Sequence, residues 1–165
     1  DAALVKTLSM GNNLAWVRDV LKGTWEAKEA NHVIDCDADP FLPDGWKVEE
    51  HKKGGILKWT ESLIAPHLDK VQQNGKCIEG NELRKRLAGK PVLNANVLDC
   101  LLANPQLIPE EWKGKFVFFW GTIYRVSGGD LCVRCLYWDG GRWSWYYLWL
   151  YNAWFDGGPA ALRAS

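Results

Sequence analysis

The chain has 165 residues, twenty Lys and Arg against twenty Asp and Glu, and a formal net charge of zero. Apolar and charged fractions of 47% and 24% are those of a globular domain long enough to bury a core. Balanced charge argues against a dedicated nucleic-acid binder, and no apolar run reaches the about eighteen residues of a spanning helix, so no membrane segment is expected.

The first residues, DAALVKTLSMGNNL, lack the charged-then-apolar pattern of a leader, although a segment removed upstream stays open because no Met begins the chain. Next, NNLAWVRDVLKG places Leu14, Val17 and Leu21 on one helical stripe that ends at Gly23. HVIDCDA and WKVEEH read as short extended segments, and KKGG before ILKW as a hairpin turn. Thr60 can cap a helix over ESLIAPHLDKVQQN, which Pro66 would kink or shorten. NELRKRLAG and NANVLDCLLAN are two short helices, each opening at Asn, and Pro109 is placed to start one turn in LIPEEWKG.

The chain changes character near Gly114. Residues 115–165 carry five Lys and Arg, three Asp and no Glu. Here KFVFFWGTIYR, LCVRCLYW and RWSWYYLWLY are β-branched and aromatic runs separated by Gly-Gly turns, which predicts a three-stranded antiparallel meander. The expected fold is therefore α+β in a single domain over 1–165. Residues 1–114 are expected to be mainly helical with a short β-hairpin, and the sheet of 115–165 to pack on those helices.

Ten of the nineteen residues of YWDGGRWSWYYLWLYNAWF are aromatic. If both Gly-Gly pairs are two-residue loops, Arg125 opposes Cys132, Ile123 opposes Arg134, Phe119 opposes Trp138, Trp138 opposes Trp143, Leu136 opposes Trp145, Arg134 opposes Tyr147 and Cys132 opposes Trp149. One face is then an ordinary core surface. The other gathers Arg125, Arg134, Trp138, Trp143, Trp145, Tyr147 and Trp149, with Arg134 poised for cation–π contact. Two readings of that face stand: rings buried under another segment of the chain, or an exposed surface that binds a partner.

Other motifs carry less. Asp35, Asp37 and Asp39 in DCDAD lie on one side of an extended segment and could hold a hard cation. Pro40 and Trp46 stand where a calcium loop needs Gly and Glu. CVRC sits in a strand, where residues three apart point to opposite faces, so it makes neither a zinc knuckle nor a redox pair. NELRKRLAGKPVLNANVLDCLL is a helix–turn–helix in outline, but its second helix holds Asp99 and no Lys or Arg for base readout. The five cysteines match no small disulfide framework and read as reduced thiols of a cytoplasmic protein.

GKPVLNANVLDCLLANPQLIPEEWKGKFVFFWGTIYR, CLYWDGGRWSW and, upstream, DCDADPFLPDGWKVEEHKKGG resemble uncharacterised Trp-rich proteins predicted from genomes of uncultured, candidate-phyla bacteria. The resemblance covers most of the chain and implies a bacterial, single-domain origin. It assigns no activity and no functional residue.

The leading expectation is a non-enzymatic binding or protein-interaction module that uses the aromatic and arginine face and needs no cofactor. Its partner would be another protein, a second copy, a glycan or single-stranded nucleic acid, since flat rings stack on sugars and bases alike. The alternative is a small metal-dependent hydrolase built on Asp35, Asp37 and Asp39.

Overall fold

Eleven strands and two short helices make up residues 32–165, which the computed structural model describes. In chain order they are β1 (Val33–Asp35), β2 (Lys47–His51), β3 (Ile56–Lys58), β4 (Ile64–His67), β5 (Ile78–Glu79), α1 (Gly80–Leu87) and α2 (Ala95–Ala103). There follow β6 (Val117–Phe118), β7 (Thr122–Arg125), β8 (Leu131–Trp138), β9 (Trp143–Trp149), β10 (Ala153–Trp154) and β11 (Ala160–Arg163). The α+β expectation with a mainly helical first segment is overturned, because the fold is mostly β and 32–114 alone contribute five strands. The helix expected over NNLAWVRDVLKG lies outside the described residues.

Two misread segments explain the correction. ESLIAPHLD is not a helix: Ile64–His67 is β4, with Pro66 opposite Ala161 of β11. Proline cannot donate inside a helix, and it is tolerated in β4 because that strand lies at the end of the sheet. KKGG does not join a hairpin either. β3 pairs with β1, whereas β2 pairs with β7 some seventy residues on. By contrast α1 and α2 form where their sequences place them, and Asn94 caps α2 by accepting a bond from the Asn96 amide at 3.1 Å.

The main sheet has seven strands and it forks. β8 meets β9 along its whole length on one edge. Its other edge is shared, by β7 near the start and by β6 near the end. β6 and β7 are the two halves of KFVFFWGTIYR, broken at Phe119–Gly121. Beyond β7 lies β2; beyond β6 lie β11, which runs parallel to it, and then β4.

The segment 91–94 fills the fork. Leu93 N donates to Ala161 O and Gly121 N donates to Leu93 O, each at 2.9 Å. Gly121 is required here: a Cβ would lie 2.7 Å from the Asn94 backbone nitrogen. The buried Asn94 side chain donates to Cys36 O and Lys52 O, both at 2.9 Å. Thr122 Oγ1 accepts from Ala95 N at 2.9 Å and contacts His51 Nδ1 at 2.9 Å. One asparagine thus ties the loop after β1, the end of β2, the fork and the start of α2.

Cores lie on both sheet faces. Leu98 and Leu101 of α2 pack with Val117, Phe119 and Leu136. Leu83 and Leu87 of α1 pack with Phe118, Ile123, Val133 and Cys135 on the other side. Gly121→Ala is expected to cost about 1–3 kcal/mol, because the opposing atoms are backbone and cannot move aside. Asn94→Ala is expected to cost about 2–4 kcal/mol by stranding two buried carbonyls and the helix cap. Urea unfolding of each variant checks both values.

Candidate functional site: the aromatic outer strand

The β8–β9 hairpin has the register its sequence implies. Trp138 opposes Trp143, Leu136 Trp145, Arg134 Tyr147 and Cys132 Trp149. The loop is the two-residue Gly140-Gly141, with positive φ at Gly140, the pattern of a II′ turn. Asp139 Oδ1 secures it by accepting from the Gly141 and Arg142 amides at 2.9 and 2.8 Å.

The β7–β8 hairpin differs. Val126 N donates to Asp130 O, so the loop is the three-residue Ser127-Gly128-Gly129, with Gly129 at φ 94°. Tyr124, not Arg125, opposes Cys132, and Arg125 opposes Leu131. Arg125 therefore leaves the expected face. It pairs with Glu49 at the protein surface, 3.0 Å away.

Arg134 stays on the aromatic face but is covered, only 1% exposed. Its two terminal nitrogens donate to Asp99 of α2 at 3.0 and 2.8 Å, a bidentate pair. Its guanidinium lies 4.3 Å from the Trp145 ring centroid and 5.2 Å from that of Phe41. Burial works against the Arg134 charge, but the Asp99 carboxylate outweighs it and the net shift of its pKa is upward. The expectation that Arg125 and Arg134 reach an anionic ligand finds no geometry: one is paired on the other face, the other is sealed by Asp99. Sequence reasoning missed Asp99. Its signal was a lone acid in the apolar helix NVLDCLL facing a lone arginine in an apolar strand.

On the Arg134 face, the rings of β9 are half-buried rather than open. Trp46 packs edge-on against Trp145 and Tyr147, with centroids 6.1 and 5.0 Å away. Trp138 meets Trp143 at 5.4 Å and lies under Lys113 Nζ at 4.0 Å. Trp149 stacks on the exposed Tyr151 at 5.8 Å. Thus the chain's own α2, Phe41 and Trp46 cover much of this face.

The outer edge is different. Leu150 N donates to Leu131 O and Asp139 N to Arg142 O, which fixes the phase of the ladder. Even-numbered residues of β9 bond inward to β8, so the backbone groups of Trp143, Trp145 and Tyr147 point outward. Among the described residues no strand pairs with that edge. The opposite face of β9 also opens, onto an apolar groove of about 310 Å³. Phe118, Cys135 and Trp154 form its floor, and Phe116, Tyr146 and Phe155 its rim, exposed by 43%, 56% and 54%. The sequence places Tyr146 on an ordinary core face and gives no sign of this groove.

Asp35 and Asp37 have local tasks. Asp35 Oδ1 accepts from Asp37 N and Asp37 Oδ1 from Gly55 N, each at 2.9 Å, which shapes the loop; Asp39 is exposed. Among the described residues no three His, Cys, Asp or Glu side chains converge as a metal group, and no helix is long and apolar enough to cross a membrane. All five cysteines are free. Comparison with protein-family models, with curated proteins and with solved structures finds no match.

Asp99→Ala should cost about 3–5 kcal/mol, because it leaves a buried guanidinium without its counter-charge. Arg134→Met should cost less, since Asp99 is 31% exposed and can hydrate. Denaturant midpoints of the two variants test that order. Burial pushes the Cys36 thiol up to about 11 and those of Cys132 and Cys135 to about 12. With so little thiolate at pH about 8, these three should resist a maleimide until the protein unfolds, while exposed Cys77 reacts at once. Peptide mapping after timed labelling reads this.

Proposed function

We propose that this chain is a non-enzymatic protein-interaction module that accepts an added strand along the outer edge of β9. The carrying observation is the edge itself: a seven-residue strand in which the outward backbone groups of Trp143, Trp145 and Tyr147 have no partner among the described residues. Globular proteins protect such edges with lysine, proline, bulges or covering segments. From Trp143 to Phe155 this chain carries no charge and no proline. Strand addition supplies main-chain hydrogen bonds for affinity, and the rings beside the edge supply contact area.

The occupant this chemistry favours is an extended, uncharged segment rich in aromatic or β-branched residues. A nucleic-acid backbone or an anionic glycan is disfavoured at this edge, because Arg125 is paired with Glu49, Arg134 with Asp99, and no charged residue lies between Trp143 and Phe155. The half-buried rings of β9 serve as the stiff support of the edge rather than as a stacking platform.

Amide exchange by NMR tests this reading. In chain diluted until it is monomeric, the Trp145 and Tyr147 amides should exchange quickly and those of Tyr146 and Leu148 slowly. Adding a synthetic peptide of sequence Trp-Ser-Trp-Tyr-Tyr-Leu-Trp, flanked by lysines for solubility, should slow the first pair. Slow exchange of Trp145 and Tyr147 in the monomer would show the edge already paired and end the proposal. So would indifference to the peptide.

A further inference from the structure

We infer that the strand added to β9 is β9 of a second copy, in a two-fold antiparallel pair centred on Tyr146. This inference rests on the strand-addition reading and deepens it by naming the occupant. Its basis is the near-palindrome Trp-Ser-Trp-Tyr-Tyr-Leu-Trp. In an antiparallel pair centred on Tyr146, Trp143 meets Trp149 of the other copy, Trp145 meets its Tyr147, and Tyr146 meets its Tyr146.

The backbone agrees with that register. Outward-facing groups belong to odd-numbered residues, and the centred register sets odd against odd. Trp145 and Tyr147 of the other copy then form a hydrogen-bonded pair, and the two Tyr146 residues face each other as a non-hydrogen-bonded pair, whose side chains lie closest. Every odd pair is aromatic on aromatic, the kind that stabilises antiparallel strands. The absence of charge from Trp143 to Phe155 means that two identical edges meet without like-charge repulsion.

The groove gives the contact its second element. Tyr146 is a rim residue of the groove and the strand's central residue. At the two-fold, each Tyr146 lies beside the other copy's rim and can lean across its groove, towards the floor of Phe118 and Trp154. Each copy thereby contributes a ring to the other's apolar site. This makes the contact isologous and closed, so the edges end in a dimer rather than a fibre.

Sedimentation velocity on the full chain over a concentration series is the test, with charge placed at the two-fold. The natural sequence should sediment as a dimer. Tyr146→Glu and Tyr146→Lys should each sediment as a monomer at the same concentration, because like charges would then face each other. Tyr146 is more than half exposed, so both variants should keep the natural far-UV spectrum. Mixed in equal amounts, they should recover the dimer. Dimers of either charged variant alone would overturn the inference, and failure of the mixture to recover would overturn the centre at Tyr146. A natural chain that stays monomeric throughout would remove the second copy as occupant. Strand addition would then stand or fall on the amide-exchange experiment alone.

Discussion

The break at Phe119–Gly121 governs the architecture. An unbroken strand there would have filled one whole edge of β8 and left a plain meander. Instead the run divides, and the register shifts by an odd number of residues between β6 and β7. Side chains therefore change face across the break. Phe119 packs toward α2, while Ile123 packs toward α1. The gap admits 91–94, and Asn94 meets buried carbonyls there that would otherwise lack donors. A buried amide is stabilising only when its polar atoms are satisfied, and this one uses both ends of its side chain.

Fixing α2 over the sheet has an electrostatic consequence. The helix carries Asp99 to the middle of β8, where Arg134 would otherwise be a buried charge in an apolar strand. Such a pair is weak evidence for net stability, since taking both ions from water is costly. Its geometry bears on register: the pairing that brings Arg134 under α2 spares it from being an unpaired cation. That same register places Trp145 against the guanidinium and sets the rings of β9 in their half-buried positions. The aromatic strand is thus held on its inner side by the chain's own residues.

Legibility in the sequence followed how local each determinant is. The β8–β9 hairpin was readable because alternation and a Gly-Gly turn settle it within twenty residues, and the pairing of Arg134 with Tyr147 came out as expected. The β7–β8 loop was not, because Ser-Gly-Gly supports a three-residue loop as well as a two-residue one, and one residue of slip sends Arg125 to the other face. The helices α1 and α2 were legible from apolar spacing, and α2 also from its Asn94 cap, whereas α1 starts at Gly80 after Glu79 and Asn81 lies inside it. The strands β4 and β11 were not. Each is short and pairs with a segment far away in the chain, and such pairing leaves no local mark. The edge of β9 and the groove beside it depend on which neighbours a strand lacks, which no periodicity encodes.

The two faces of β9 have unequal freedom, and this bears on what the edge can accept. On the Arg134 side the chain supplies its own cover, so an added strand finds rings already locked by Trp46, Phe41 and the guanidinium. On the Tyr146 side the rim is exposed and the groove is without charge. An incoming strand shows alternate side chains to these two sides. Those next to the locked rings meet a fixed surface and select by shape. Those next to the groove meet space that only an apolar ring or chain can fill without stranding a polar group. A charged residue there would be desolvated with no partner in reach. On the strand-addition proposal, the edge would be selective on the side where it is open and permissive in backbone, the combination that strand-addition sites use to obtain affinity from the main chain and discrimination from alternate side chains.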